Sequence, residues 1–266
     1  MNEHMINIRM TVPLSIIISI LLLISSIFGL FGNIYREAPA WLVQAYAADI
    51  MNLACIPFLL VSLLLAIKGS RRGFFVFSGI LLYLIYTFLL YTFAMHFNRM
   101  FLVYVGILGT SFYCLAGIIY SLDMKNLQEW FKESQSFNAA VWFLCIMAGL
   151  FAILWLSSIL PAVINGSIPA EIEGLGLPVN PVHVIDLALL LPAFIISSVL
   201  VKKKAALGYF LTPSMLVFSA LMSAAIAEIM IVTAYLKMPA DPAVTVVMLG
   251  LSAISAIVFL METRKI

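Results

Sequence analysis

The sequence predicts an all-α fold, a polytopic transmembrane helical bundle of about eight spans with a parallel 4+4 internal repeat. Composition, the length of the apolar runs and an internal repetition predict it. Of 266 residues, 64% are hydrophobic and 10% charged, and the mean hydropathy is +1.15. In soluble domains about a quarter of all residues are charged, and a soluble domain of this size could not bury so much apolar surface. The period-two alternation of a membrane barrel is absent.

Eight apolar runs reach the roughly 20 residues that a helix needs to cross a bilayer. The breaks between them carry charged or turn-forming residues. The first run is too long for a signal-peptide core and no convincing cleavage site follows, so it is predicted to be an uncleaved first span. The predicted spans are 12–32, 43–67, 74–95, 100–121, 138–160, 182–201, 209–236 and 243–261.

The lysines and arginines are distributed unevenly between the two sides. With the N-terminus inside, 11 of the 14 lie on the cytoplasmic side and 3 in outer loops. Membrane proteins retain basic residues on the cytoplasmic side, so this predicts a multi-pass cell-membrane protein with both N-terminus and C-terminus cytoplasmic. The inner set is Arg9, Lys68, Arg71, Arg72, Lys125, Lys132, Lys202, Lys203, Lys204, Arg264 and Lys265; the outer set is Arg36, Arg99 and Lys237.

Four pairs of similar segments indicate an internal duplication. Their offsets are 132, 135, 135 and 141 residues, rising in order as small loop insertions would produce. Each half would hold four spans, an even number, so the halves are predicted to run parallel about a pseudo-axis along the membrane normal. Gly and Ser of the last pair are expected to allow close helix packing. The pairs are Ile24–Ile27 with Leu156–Ile159, Pro57 with Pro192, Gly73–Phe75 with Gly208–Phe210, and Leu108–Ser111 with Leu249–Ser252.

The chain therefore divides into a first four-helix repeat over 1–121, a linker over 122–137 and a second four-helix repeat over 138–266. In the linker, apolar and charged residues alternate at roughly helical spacing, which predicts a short cytoplasmic helix in the membrane interface. This helix is expected either to connect the two halves only or to form a docking site. The alternating residues are Leu127, Trp130, Phe131 and Phe137 with Lys125, Glu129, Lys132 and Glu133.

Several functional classes are disfavoured by the composition. The cysteines Cys55, Cys114 and Cys145 lie inside apolar runs without a C-x-x-C pair, which indicates buried small residues rather than a disulfide framework or a zinc site. Only His96 and His183 could be axial ligands inside the membrane, which argues against haem. A net charge of +2 is too small to indicate a nucleic-acid partner. Membrane lipid is the expected surrounding.

Two stretches of the chain have a recognisable pattern. The first stretch holds Asp49, Pro57, Ser62, Gly69-Ser70-x-Arg72-Gly73, Tyr83, Tyr86, Tyr91, Phe97-Asn98 and Tyr104; the second holds His183-Val184-Ile185-Asp186-Leu187-Ala188, Leu191-Pro192 and Leu207-Gly208-Tyr209. Together they resemble a family of uncharacterised prokaryotic multi-pass integral membrane proteins. The resemblance covers spans 2–4 and 6–7, most of the chain, implies a prokaryotic membrane setting and assigns no role to any residue.

Three carboxylates lie inside the predicted spans: Asp49, Asp186 and Glu228. Ionisable groups there cost roughly 2.5–3.5 kcal/mol each on insertion scales, so they mark candidate sites. In the predicted topology all three fall in the outer third of the bilayer. This common depth predicts that they contribute to one polar site between the halves.

Other polar residues accompany these carboxylates. Asp49 and Asn52 lie three residues apart in span 2, and His183 and Asp186 lie three apart in span 6, so each pair shares a helical face. Prolines below both pairs are expected to kink the helices and open a cavity. The predicted ligand-binding residues are Asp49, Asn52, His96, Asn98, Arg99, His183, Asp186 and Glu228.

These residues support three hypotheses. The leading one is a polar, outward-facing intramembrane cavity that binds a small solute or cation, for transport or sensing. The second is an intramembrane metal-dependent hydrolase acting on lipid, in which His183, Asp186, Asp49 and Glu228 supply N and O ligands to a divalent metal. The third is a structural or assembly partner in a membrane complex, whose carboxylates bond neighbouring helices or pair with Arg99. The inner halves of the spans hold no ionisable residue, which favours one-sided binding over proton-coupled transport.

Overall fold

The structure, a computed structural model, describes residues 7–131, 137–264 and 266. Across those residues the ordered elements are all helical, and eight helices are long and apolar enough to span a membrane. The predicted all-α bundle with eight apolar helices is confirmed. Met1–Ile6, Lys265 and the linker residues 132–136, among them Lys132 and Glu133, lie outside the described residues.

The helices extend somewhat beyond the predicted apolar runs. The sixth spanning helix, Pro181–Lys202, consists of α8, a π-helical turn over Asp186–Leu190, and α9. Two short helices, α5 and α7, lie in connections. The helices are α1 Ile8–Phe31, α2 Pro39–Ile67, α3 Arg71–Ala94, α4 Phe101–Ser121, α5 Met124–Glu129, α6 Asn138–Asn165, α7 Ala170–Leu175, α8 Pro181–Ile185, α9 Leu191–Lys202, α10 Ala206–Tyr235 and α11 Pro242–Glu262.

Local chemistry explains several helix ends. Side chains accept from the first-turn N–H groups at Ser70 before α3, Asn180 before α8 and Asp241 before α11. Proline follows Asn180 and Asp241 as the first helical residue, where its missing N–H costs nothing. At the other end of a helix, Gly166 terminates α6 with a left-handed backbone, φ 64°.

The long helices of each half contact one another in the same cyclic order. In the first half, α1 packs on α2, α2 on α3, α3 on α4, and α4 returns to α1. In the second half, α6 packs on α9, α9 on α10, α10 on α11, and α11 returns to α6. Between the halves, α10 packs on both α3 and α2. The cavity described below lies at this junction.

The tight turns from α2 to α3 and from α9 to α10 have matching backbone hydrogen bonds 135 residues apart. Each turn also places one residue in the left-handed region, Gly69 at φ 91° and Lys204 at φ 55°. The two turns therefore have one construction in two different sequences. The matched N–H to C=O bonds are Lys68 to Leu64 with Lys203 to Val199, Gly69 to Ala66 with Lys204 to Val201, and Ser70 to Leu65 with Ala205 to Leu200.

The interpretation of the fourth sequence pair as a close-packing motif is wrong for its glycines. A Cβ added to Gly109 or Gly250 would meet no described heavy atom within 4 Å. Close approach occurs instead at Gly79, where an added Cβ would lie 2.5 Å from Val217 Cβ and 2.9 Å from the Ser214 carbonyl oxygen on α10. Gly79 thus allows α3 and α10 to approach closely.

The two matched prolines sit in different helical geometries. Pro57 lies within continuous α-helix, whereas Pro192 follows the π-helical turn, in which Leu191 N–H donates to Asp186 C=O. Proline lacks an N–H and clashes with the carbonyl four residues earlier, and a wider turn relieves this conflict. Asp186 is the first residue of this π-helical turn, which lies between α8 and α9 in the sixth span.

Aromatic residues of the linker pack beneath the bundle. The Trp130 ring lies 5.7 Å from Phe74 of α3, and the Phe131 ring stacks on Tyr209 of α10 at 5.2 Å. Leu127, Trp130 and Phe131 are all buried. The linker therefore packs against α3 and α10 and does more than join the two halves.

Basic residues from distant parts of the chain lie at one end of the bundle. Arg72 Nε donates to Thr263 C=O at 3.0 Å, which joins the start of α3 to the end of α11. Lys202 Nζ donates to Asn138 Oδ1 at the start of α6. Gln128 of α5 reaches the Lys204 carbonyl at 2.8 Å. We call the end of the bundle that holds Arg72 and Lys202–Lys204 the basic end.

Candidate functional site

A cavity of about 320 Å³ lies between the two halves. Its wall is mainly apolar and aromatic, so the polar lining expected from the sequence is corrected to an aromatic one with few polar groups. It is formed by α2, α3, α6, α8, α9 and α10, with α7 at its edge. The lining includes Trp41, Tyr86, Phe151, Trp155, Asp186, Phe194, Phe218, Ser219 and Ser223.

Asp186 is the one carboxylate among the described lining residues, which include no Lys, Arg or His. Tyr86 Oη donates to its Oδ1 at 2.8 Å and Trp155 Nε1 donates to its Oδ2 at 2.9 Å. Tyr86 belongs to α3 of the first half, so this hydrogen bond crosses between the halves. An ionised carboxylate has about four acceptor positions, so two remain for a ligand.

His183 lies beside this carboxylate, behind the cavity wall. Its ring packs on Trp155 with centroids 4.5 Å apart, and its Nε2 lies 3.2 Å from Asn180 Nδ2. The same Nε2 is 3.6 Å from Glu171 Oε1 of α7. The buried Nδ1 has no hydrogen-bond partner among the described residues. The predicted His183–Asp186 pair is thus bridged through the Trp155 side chain.

The short helix α7 covers one edge of the cavity. Leu175 is part of the lining, and an added Cβ at Gly176 would lie 3.5 Å from Ala38 Cβ at the start of α2. The Glu171 carboxylate accepts from Ser158 Oγ at 2.8 Å, which ties α7 to α6. This helix therefore reaches from the second half to the first across the end opposite the basic end.

A second cavity of about 80 Å³ adjoins the first and shares seven lining residues with it. It extends between α2, α3 and α10 toward Met95. The shared residues are Trp41, Gln44, Tyr86, Leu90, Met222, Ile226 and Ile229.

Asp49 occupies a separate place, inside the four helices of the first half. Tyr35 Oη donates to Oδ2 at 2.6 Å and Tyr91 Oη donates to Oδ1 at 3.1 Å. Burial, and then the nearby Asp49 charge, raise the pKa of Tyr35 above its usual range, so this phenol keeps its proton and acts as the donor. Asp49 packs against α1 at Gly29 and lines neither cavity.

The other predicted site residues lie elsewhere. Asn52 is fully buried near Asp49, and Glu228 is half-buried on α10 without a hydrogen bond to a described residue. Glu37, which the sequence reasoning missed, accepts from His96 N at 2.7 Å and lies 3.4 Å from its Nδ1. Asn98 Oδ1 accepts from Met100 N at the start of α4.

The metal site proposed from sequence is not assembled in the described part of the chain. There, no group of three or more His, Cys, Asp or Glu side chains could hold a metal ion. Arg99 is exposed and, among described residues, lies within ion-pair distance of no carboxylate. Asp49 and Asp186 each bond aromatic donors instead.

Comparison with protein-family models, with curated proteins and with solved structures found no match for this chain.

The sequence reasoning also missed the four aromatic donors that hold the two aspartates. These donors are Tyr35 and Tyr91 at Asp49, and Tyr86 and Trp155 at Asp186. Comparing positions along the predicted spans would have placed Tyr86 and Tyr91 at about the same depth in the membrane as the carboxylates. The rotation of each helix, which decides whether a phenol meets a carboxylate, leaves no local trace in the sequence.

Proposed function

We propose that this chain is a membrane protein that binds a small organic cation, an amine or ammonium group on an apolar body, in the cavity around Asp186. The observation that carries the proposal is a single carboxylate in an aromatic wall whose described lining residues include no Lys, Arg or His. A cation would balance that charge, and Trp, Tyr and Phe faces attract cations. Binding would serve transport or sensing.

The volume and the lining of the cavity favour a ligand-binding role for Asp186 over a purely structural one. Its volume of about 320 Å³ lies at the lower end of the range for small-molecule sites. Such sites combine apolar walls with a few polar groups that fix orientation. Here the fixing groups are Asp186, Gln44, Asn180 and the serines of α10.

We expect Asp186→Asn to weaken binding of phenethylammonium by about tenfold or more, because the amide loses the ionic attraction. The affinity is measured by isothermal titration calorimetry on detergent-purified protein. The neutral analogue phenethyl alcohol serves as ligand control, and its affinity should not change. Glu228→Gln, which removes a carboxylate outside the cavity, should leave phenethylammonium binding intact. Equal affinity of wild type and Asp186→Asn for the amine would contradict the proposal.

The proposal includes an orientation in the membrane. It is supported by the basic end, where Lys202–Lys204, Arg72 and Arg264 gather, since basic residues stay cytoplasmic. The termini would then be cytoplasmic and the cavity, at whose edge α7 lies, would face outward.

Single cysteines are expected to report this orientation. Ser167→Cys, in the exposed connection after α6, should react with an impermeant maleimide in intact cells. Lys203→Cys, at the basic end, should react only after permeabilisation. The background would have Cys55, Cys114 and Cys145 replaced by serine. Labelling of Lys203→Cys in intact cells with protection of Ser167→Cys would reverse the assigned orientation.

The duplication is also part of the proposal. It is supported by the matched turns, the common cyclic order of helix contacts, and the contact of Gly79 with Ser214, its counterpart at offset 135. Contact between a residue and its own counterpart is expected on a two-fold axis. That axis would run between α3 and α10, parallel to the membrane normal.

A further inference from the structure

The first half encloses a group of buried polar side chains around Asp49, of which only Tyr91 lines a cavity among the described residues. Asp49 lies at its centre with no exposed surface, held by the phenols of Tyr35 and Tyr91. Among the described residues no Lys, Arg or His lies within ion-pair distance of it. Two neutral donors do not balance the charge of an ionised carboxylate.

Unused oxygen atoms surround this carboxylate. Asn52, one helical turn from Asp49 on α2, has both side-chain polar atoms buried without a hydrogen-bond partner. On α1, Ser25 and Ser26 are fully buried; Ser25 makes no hydrogen bond within the described structure, and Ser26 has no partner there besides the nearby Asp49 carboxylate. Buried polar groups are rarely left unpaired in native proteins, so each needs an explanation.

Helix geometry brings these groups together. Residues three or four apart on a helix have Cβ atoms about 5–6 Å apart on one face, which places Asn52 beside Asp49. Across the interface, Gly29 of α1 touches the carboxylate, since an added Cβ there would lie within 3 Å of Asp49 Cγ. Ser25 and Ser26 lie one turn from Gly29, and the Ser26 hydroxyl lies near the Asp49 carboxylate.

We propose that the first half binds a monovalent cation of the size of Na⁺ between Asp49 and the side-chain oxygens of Asn52, Ser25 and Ser26. Carboxylate, amide and hydroxyl oxygens are the ligands of hard cations. One carboxylate balances one positive charge, whereas a Ca²⁺ ion would leave a net charge in the membrane interior. The cation both neutralises Asp49 and satisfies the unpaired oxygens.

The experiment measures Tm of the detergent-purified protein at constant pH and ionic strength, with NaCl replaced stepwise by CsCl, whose inorganic cation is much larger than Na⁺. A cation that binds only the folded state should raise Tm by about 3–6 °C at ten times its Kd. Asp49→Asn should remove the dependence on Na⁺. Asp186→Asn, which changes the separate cavity, should retain it in full. This control makes failure here distinguishable from failure of the organic-cation proposal.

Ser26→Ala provides a second variant in case Asp49→Asn does not fold. It removes one ligand oxygen and keeps the carboxylate, so the Na⁺ concentration at half-maximal stabilisation should rise about fivefold or more. The proposal is overturned if Tm is equal in NaCl and CsCl. It is also overturned if Ser26→Ala and every folded Asp49 variant respond to Na⁺ as wild type does. A response to pH without any response to Na⁺ would mean that Asp49 takes a proton instead.

Discussion

Gly208→Ala is expected to destabilise the protein by about 3 kcal/mol, near the upper end of the usual cost of overpacking. An added Cβ would lie 2.3 Å from Val201 N and 2.4 Å from Leu200 C. Both are backbone atoms of α9 next to the tight turn, so neither can rotate away. At 2–4 °C per kcal/mol for a chain of this size, Tm in detergent should fall by about 6–12 °C.

The matched control is Gly250→Ala on α11, where an added Cβ meets no described atom within 4 Å. Alanine has the higher helix propensity, by about 1 kcal/mol in water, so Gly250→Ala should leave Tm unchanged or raise it. If Gly208→Ala and Gly250→Ala have the same effect, the close approach at the α9–α10 turn is not as the structure describes it.

A glycine-to-alanine substitution at the corresponding position after the α2–α3 turn tests the duplication. In Gly73→Ala the added Cβ would lie 3.1 Å from Ala66 N and 3.2 Å from Leu65 C, the counterparts at offset 135 of the two backbone atoms met at Gly208. We expect the same direction of change with a smaller loss, because the distances are longer.

The positions of the eight spanning helices could be predicted because the bilayer sets their length and excludes charge. The helix ends could be predicted less well. The helix α2 begins at Pro39, four residues before the predicted run, because Pro39 is a favourable first residue of a helix. The π-helical turn before Pro192 was not predicted, since Pro57 in the corresponding place stays within an α-helix.

The candidate site was predicted only in part. Insertion costs selected Asp49 and Asp186 correctly as buried carboxylates, yet their common depth did not bring them into one cavity. Depth is fixed by position along a span, whereas facing is fixed by the rotation of each helix against its neighbours. The rotation places Asp49 against Gly29 and turns Asp186 toward Tyr86. Tertiary packing decides both, so the sequence pattern alone did not separate them.

Removal of the Asp186 carboxylate should have a large effect on stability as well as on binding. Asp186→Ala leaves the Tyr86 hydroxyl and the Trp155 N–H without their shared acceptor, and the carboxylate is 5% exposed. Hydrogen bonds to charged groups contribute about 1.5–3 kcal/mol each, so a loss of about 3–6 kcal/mol is expected for the two. Tm should fall by about 6–24 °C. Glu228→Ala, without a described hydrogen bond to lose, should leave Tm nearly unchanged.

A double-mutant cycle separates the lost hydrogen bonds from a general effect of truncation. Tyr86→Phe together with Trp155→Phe removes both donors and leaves an aromatic ring at each position, with the smaller phenyl ring at 155. In that background an isolated buried carboxylate is unfavourable, so Asp186→Ala should cost little or should even stabilise the protein. The coupling free energy, measured by reversible denaturant unfolding in mixed micelles, is then at least about 2 kcal/mol. If Asp186→Ala costs the same in both backgrounds, the two hydrogen bonds do not contribute to stability. The bond from Tyr86 would then not hold the two halves together.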